Sequence, residues 1–219
     1  MLNGELFLRL LDGWAMTVRL VAVSAPVGLL VGLAVGAARV YGPLPIRWIA
    51  ALFQSILRGV PLVVQLFILY YLLPRAGLLL SPFVAATVGF SLCSGAYHSE
   101  YVRGALLSID QGQMEAARSL GMTRLEAIVY VVLPQATRKA VPGCGNELVY
   151  LIKYSSLAYL VTLVDLTGAG RIQANASFRF FEVFVVVGCL YLMMVAVARL
   201  GLAWLQRRWR RSSGTFTEA

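Results

Sequence analysis

The sequence predicts an all-α integral membrane protein of about five transmembrane helices, and three observations carry that prediction. Hydrophobic residues make up 59% of the 219 positions and charged residues only 13%, with a mean hydropathy of +0.77. The apolar residues fall in uninterrupted runs near twenty residues long, the length that spans a hydrocarbon core of about 30 Å as a helix. One polar segment, Gly112 to Gln135, separates the apolar blocks and carries a helical pattern of its own. A soluble fold of this size has no use for so much continuous apolar sequence, so residues 1–219 read as a single membrane domain with a polar loop over about 108–140.

Taken in order, the first span covers about Trp14 to Ala38, and its Gly28, Gly32 and Gly36 form a row of small residues one turn apart. Such a row lets a second helix approach closely. The second span is expected over about Ile49 to Leu73, between the turn Gly42-Pro43-Leu44-Pro45 and Pro74. It contains Arg58-Gly59-Val60-Pro61 and Gln65, a charge, a helix-weakening Gly-x-Pro and an amide at membrane depth. A proline there frees backbone groups, which is tolerable only against protein or a cavity. The third span, about Ser81 to Leu107, ends in Gly95-Ala96-Tyr97-His98-Ser99-Glu100-Tyr101-Val102-Arg103-Gly104. The fourth, about Pro142 to Leu163, carries Asn146, Glu147, Lys153 and the polar run Tyr154-Ser155-Ser156. The fifth, about Glu182 to Leu205, runs into Arg207-Arg208-Trp209-Arg210-Arg211, a membrane stop and headgroup anchor.

The polar loop fits two short helices meeting at a turn. Glu115 to Leu120 is a run of good helix formers, and Gly121 can take the left-handed conformation that ends a helix. Arg124 to Val132 resumes a helical pattern that Pro134 is expected to close. Ala116 and Ala117 keep the turn thin enough to enter a groove on another protein.

Glu115, Ala116, Ala117, Gly121, Ile128, Leu133 and Pro134 resemble the "EAA" loop of ABC importer permeases. In that family the loop is a cytoplasmic coupling helix that docks into a cleft on the ATPase subunit. Three further stretches sharpen the resemblance to the polar amino acid branch, which serves histidine, glutamine, glutamate and arginine uptake. They are Arg58-Gly59-Val60-Pro61-Leu62-Val63-Val64-Gln65-Leu66, Ala96-Tyr97-His98-Ser99-Glu100, and Lys153-Tyr154-Ser155-Ser156-Leu157. Together they cover roughly Arg58 to Leu166 in the family's order. The branch usually carries an acid where Tyr154 stands; if that acid holds a cationic side chain in relatives, its loss here disfavours arginine and lysine.

The resemblance implies a type I permease with a second permease alongside, identical or homologous, and two ABC ATPase subunits that bind ATP and Mg. It also implies an extracytoplasmic amino acid-binding protein that delivers substrate, and a bacterial inner-membrane location. Glu115, Ala116, Ala117 and Gly121 are its ATPase-coupling residues. The polar residues within spans are functional candidates because each is costly there: Arg58, Gln65, Tyr97, Glu100, Lys153, Tyr154, Ser155 and Ser156 are the expected substrate path or gate. Glu100 can instead pair with Arg103 one turn away, and Lys153 can snorkel or meet a buried carboxylate.

Basic residues give an independent check on sidedness. With the C-terminus cytoplasmic, eleven of the nineteen fall in inner segments and four in outer ones, which puts the loop in the cytoplasm and the N-terminus outside. The net charge of +9 follows this pattern, so nucleic acid is not an expected partner; membrane lipids are. Cys93, Cys144 and Cys189 are solitary and suit packing rather than metal or disulfides. No basic leader with a small-residue cleavage site precedes the first apolar run, so no removable signal is expected. The chain has no G-x-x-x-x-G-K-[ST] loop and no nucleophile–base constellation, so neither a bound cofactor nor catalysis by this chain is expected. The alternative reading is an ion-gradient-driven secondary transporter using Glu100 or Glu147, although such folds usually show repeats and more spans.

Overall fold

The computed structural model describes residues 4–212, with side-chain surroundings from 7 to 208, so the side chains of Trp209 to Arg211 in the basic anchor lie outside it. The described residues are helical throughout, with no strand among them. Helix α1 (Gly4–Tyr41) is followed by α2 (Leu44–Gly59) and α3 (Leu62–Phe67), the last running on through a π turn at Ile68–Leu72 and a 3-10 turn at Leu73–Ala76. After α4 (Pro82–Leu107) come the short α5 (Gln111–Ser119) and α6 (Arg124–Ala127). A π turn at Ile128–Val132 then leads into α7 (Leu133–Tyr154). A 3-10 segment, Ser155–Val161, precedes α8 (Leu166–Ser177), and α9 (Phe180–Ser212) ends the described chain.

Packing of α1 on α4 organises the rest. A Cβ built on Gly28 would lie 3.1 Å from the Ser94 Cβ, one on Gly32 would collide with the Cβ of His98, and one on Gly36 would reach within 2.8 Å of Val102 Cγ1. The small-residue row is therefore the contact surface for α4, and because both numberings rise together the two helices run parallel. Helix α7 runs the other way along α4: Gly143 sits on Tyr101, and Glu147 lies beside Ser94. Helix α9 is antiparallel to α7, with Leu202 over Gly145 at one end and Ile152 clustered with Met194 further along.

The α1–α4 parallel pair needs a return pass between its members, and that pass is bent. The expected continuous span from Ile49 to Leu73 is in fact broken, with α2 and the segment Leu62–Ala76 meeting at 102°. Pro61 has no N–H to continue α2 and holds Val60 extended at φ −93°, ψ 128°. The Gln65 side chain donates to the carbonyls of Leu57 and Val60 at 2.8 Å each, satisfying groups that the break exposes. Gln65 is buried and points at the break.

The fourth pass also differs from expectation. Helix α7 begins at Leu133 rather than Pro142, and Pro134 does not close the preceding helix. The π turn before it bonds Leu133 N–H to the Ile128 carbonyl, so the chain enters α7 with a proline in its first turn, where the missing N–H costs nothing. Pro142 is carried inside α7. The pass is then interrupted after Val161, where Thr162 turns left-handed at φ 63°, and resumes as α8 at a 55° bend. Asp165 makes the restart possible: fully buried, it accepts from Gly168 N–H at 2.9 Å, Thr167 N–H at 3.1 Å and the Tyr191 hydroxyl at 3.0 Å. Thr17 of α1 accepts from Leu166 N–H at 3.1 Å, fixing the new N-terminus against the first helix.

Helices α1 and α9 are each long and apolar enough to cross a membrane, and two bent pairs qualify as broken spans. Helix α4, with 26 residues, is about 39 Å long at 1.5 Å per residue but is less apolar than the other four passes; packed along Gly28, Gly32 and Gly36 of α1, it completes the five expected. Its polar residues turn inward: Ser91, Ser94, His98 and Ser99 are buried. The outward faces of α1 and α9 carry Leu30, Leu33, Leu192, Val197 and Leu200 in the open, as lipid contact requires. With passes alternating in direction, the α5–α6 connector and the C-terminal end of α9 share one end of the bundle.

Candidate coupling connector and substrate path

At that end the chain folds α5 and α6 into a compact helix–turn–helix. Asp110 caps α5 by accepting from Gly112 N–H at 2.6 Å. The helix stops at Gly121, whose φ is +87°. Met122 N–H reaches the Ala117 carbonyl at 3.2 Å and Gly121 N–H the Arg118 carbonyl at 3.0 Å, the paired bonds of a Schellman C-cap. Ala117 is buried under the turn while Glu115 and Ala116 are exposed on its outer side, and Leu120 and Leu125 stand 82% and 70% exposed. Leu120 and Leu125 therefore flank the thin alanine turn on its open side.

Thr123 starts α6 with a capping box. Its hydroxyl accepts from Glu126 N–H at 3.3 Å, and the Glu126 carboxylate accepts from Thr123 N–H at 2.7 Å and from the Thr123 hydroxyl at 2.8 Å. These bonds favour the ionised form and hold the Glu126 carboxyl below the usual glutamate range. Their contribution is therefore complete above the ordinary glutamate pKa and disappears as pH falls through the lowered one. Hydrogen exchange at the Leu125–Ala127 amides is expected to accelerate in that acidic window, and Thr123→Ala should produce the same acceleration at neutral pH.

The connector is tied to the span that follows it. Gln135 of α7 donates to the Gln113 side chain at 3.1 Å, and Lys139 donates to the Ser108 carbonyl at 2.8 Å. Val132 and Ala136 pack with Val102 and Leu106 beneath it. Gln135 thus fastens α5 to α7, and Lys139 fastens α7 to the C-terminal end of α4.

Inside the bundle the expected path residues separate into groups. Glu100 is engaged by three arginines from three helices: Arg39 of α1, Arg103 at 3.1 Å, and Arg58 at 3.9 Å. The pairing with Arg103 is thus real, but Glu100 also ties α1 and α2 to α4. Ser155 and Ser156 each donate to a carbonyl one turn back, those of Ile152 and Lys153, at 2.7 Å, and Ser155 is also in hydrogen-bonding position to the Tyr191 side chain. Gln65 caps the break described above.

Arg58, Tyr97, Lys153 and Tyr154 come together on one face. The Arg58 guanidinium lies over the Tyr97 ring, 5.1 Å from its centroid, and the Lys153 ammonium over the Tyr150 ring at 4.6 Å. Tyr150 and Tyr154 stack at 6.0 Å with 18° between planes, and Tyr154 is within electrostatic reach of Tyr97. Lys153 meets no carboxylate among the described residues. Behind this face sits Glu147, 3% exposed, with Ser94 in hydrogen-bonding position and Arg58 within charge–charge reach. Tyr150 and Glu147 complete a constellation that the sequence only half exposes. Glu147 is visible there as an acid at membrane depth; Tyr150 gives no signal beyond its one-turn spacing from Tyr154. Arg58, Lys153, Tyr150 and Tyr154 are at least part-exposed, and a face carrying two cations and three phenols cannot be turned to lipid at low cost.

Comparison with known proteins bears on the family and the fold. Residues 26–211 match the family model described as "Binding-protein-dependent transport system inner membrane component". The chain is 38% identical over 201 residues to the glutamine transport system permease protein GlnP of Escherichia coli (strain K12), covering 91% of this chain and 92% of that one. It is 35% identical to the arginine transport system permease protein ArtQ of Bacillus subtilis (strain 168), covering 86% of each, and 35% identical to the L-cystine transport system permease protein TcyB of the same organism, covering 88% and 82%. Among solved structures, an amino acid ABC transporter crystallised with histidines matches at a TM-score of 0.86 and 31% identity, over 93% of this chain and 95% of that one. The MetNI methionine ABC transporter in an inward-facing form matches at 0.81 and 22% identity over 94% and 98%, a likeness of fold. The broken passes, the capped connector and the match along most of the chain lead to one assignment: this chain belongs to the family of inner-membrane components of binding-protein-dependent transport systems.

Proposed function

We propose that this chain is the permease subunit of an ATP-driven importer that carries polar amino acids across the bacterial inner membrane. The observation that carries the reading is the connector: a capped helix–turn–helix with exposed Glu115, Ala116 and Leu120, bonded to the span that follows it, which is itself bonded to the end of the span before it. A lever of this kind serves a motor outside the membrane. The motor is a pair of ABC ATPase subunits holding ATP and Mg, with the Glu115–Gly121 turn in a cleft of each. A second permease, a copy or a sibling, completes the translocation unit, and an extracytoplasmic binding protein supplies substrate.

Sidedness follows from charge. Arg118, Arg124, Arg138, Lys139, Arg207 and Arg208 gather at the connector end, which the positive-inside bias puts in the cytoplasm with the C-terminus. Arg9, Arg75, Arg171 and Arg179 belong to the opposite, extracytoplasmic end, where α1 begins. Substrate moves along the Arg58–Tyr97–Tyr150–Lys153–Tyr154 face, with Glu147 behind it. Closure of the ATPase pair draws the connectors together, and the packed α1–α4–α7 unit rocks between two discrete arrangements. The breaks at Val60–Pro61 and Thr162–Asp165 are where the bundle can bend without losing buried helical bonds.

Purification of the co-expressed complex followed by reconstitution tests this. ATPase subunits should remain bound through detergent extraction, and uptake should require ATP on the connector side. Uptake by the permease alone, driven by an ion gradient, would replace this reading with that of a secondary transporter.

A further inference from the structure

Helices α1, α4, α7 and α9 surround a cavity of about 360 Å³. Its walls are mostly hydrocarbon, among them Leu29 and Leu33 of α1, Val102 of α4, Ala140 and Leu148 of α7, and Leu202 of α9. Leu29 and Leu33 are exposed, so the cavity is open along α1, a helix whose outward face meets lipid. None of Arg58, Tyr97, Glu147, Tyr150, Lys153 and Tyr154 lines it, which makes it a separate feature from the substrate path.

One lining side chain has a hydrogen bond to spare. His98 of α4 is only 5% exposed and faces the cavity. Its Nδ1 lies 2.8 Å from the Ser94 carbonyl and 3.1 Å from the Ser94 hydroxyl. A carbonyl can only accept, so the proton of the neutral ring sits on Nδ1 and Nε2 is left as an acceptor. Among the described residues nothing donates to Nε2. The other polar groups of the lining do not help: the Thr137 hydroxyl donates to the Leu133 carbonyl at 2.7 Å, and the Cys144 thiol is a weak donor. A buried acceptor left without a donor is costly. Water is a poor answer, since it needs two to four polar partners, and an apolar cavity of about 150 Å³ stays dry and takes benzene instead. This cavity has more than twice that volume and offers one acceptor. A phospholipid tail has the apolar body but brings no donor. We infer that the cavity binds a neutral, bilayer-soluble molecule with an apolar body of about two fused rings and a single N–H or O–H, which donates to His98 Nε2.

Indole and indene are the probes, because they share a bicyclic frame and differ in one N–H. Saturable binding of each to the purified permease–ATPase complex in phosphatidylcholine nanodiscs is measured by equilibrium dialysis, with empty discs subtracted. Indole is expected to bind at least about tenfold more tightly than indene, the scale of one hydrogen bond to an otherwise unpaired buried group. His98→Leu keeps an apolar side chain at the site and removes the acceptor, so the two probes should then bind alike. Thr137→Phe puts a ring at an exposed position of the lining and should weaken both. Equal binding of indole and indene to the unaltered complex overturns the inference and makes the cavity a slot for lipid tails. A preference for indole that survives His98→Leu overturns it too, since the donor is then met elsewhere. Absence of saturable binding does the same, as when a helix of the neighbouring permease covers the cavity. Should His98→Leu fail to assemble with the ATPase subunits, Thr137→Phe decides: indole binding unchanged by that ring overturns the site.

Discussion

Valine at position 32 is expected to abolish the folded subunit. Gly32 is the closest point of the α1–α4 crossing: a side chain there meets the His98 Cβ and, at 3.0 Å, the carbonyl of Gly95. Neither can give way, because one is the root of a side chain and the other is helix backbone. Overpacking of this kind typically costs about 1–3 kcal/mol, and here the whole helix must shift, opening the contacts at Gly28 and Gly36 together. That shift also separates Arg39 from Glu100, the tie between the first and third passes. Detergent-solubilised Gly32→Val should therefore lose its monodisperse peak on size exclusion, or melt far below the unaltered protein. Gly188→Val in α9 is the control, since nothing lies within 4 Å of a side chain there. A normal melting curve for Gly32→Val would mean that the parallel α1–α4 pairing is wrong.

How much of this fold is legible in the sequence depends on the kind of signal. The Gly28–Gly32–Gly36 row announces a close helix contact because the spacing of small residues is the contact. The left-handed turn at Gly121 is equally legible, since only glycine takes that conformation at little cost and the residues before it are good helix formers. The breaks are not. Gly59-Val60-Pro61 signals weakness, yet whether the span bends by a few degrees or by 102° depends on Gln65 reaching back to Leu57 and Val60, a tertiary outcome. Pro134 misleads for the opposite reason: a proline expected to end a helix instead falls in the first turn of α7, just after a π turn, where its missing N–H costs nothing. Among the path residues, charge and depth mark Arg58 and Lys153, but helix rotation decides that Arg58 meets Glu100 while Lys153 meets the Tyr150 ring instead of a carboxylate. Sequence spacing offers Glu100 to Arg103, and the fold adds Arg39 and Arg58. Tyr150 escapes notice because a tyrosine in a span is ordinary until a cation sits on its ring.

The second large effect is expected at the connector, and it separates transport from stability. Glu115→Lys reverses the charge on the exposed side of the turn, where no partner among the described residues holds it, so insertion and folding should be unaffected. Its effect should appear only against the ATPase cleft. Placing a like or unpaired charge in a desolvated contact costs about 2 kcal/mol or more, so coupled uptake should fall at least about tenfold while the ATPase subunits continue to hydrolyse ATP. Gly121→Val reaches the same outcome by another route. Nothing crowds a side chain at that position, but the φ of +87° is hostile to one, at about 1–2 kcal/mol for a residue with a Cβ. Relief comes by unwinding the C-cap, which redirects Leu120 and loosens the turn that carries Glu115. Gly121→Asn tolerates the left-handed region better and should recover part of the lost uptake; Glu115→Gln, which keeps the shape without the charge, should fall between. Uptake per ATP, compared across all four variants in proteoliposomes, distinguishes these outcomes. If Glu115→Lys and Gly121→Val both transport at the unaltered rate, force does not enter through this turn, and the contact between motor and membrane must lie elsewhere on the subunit.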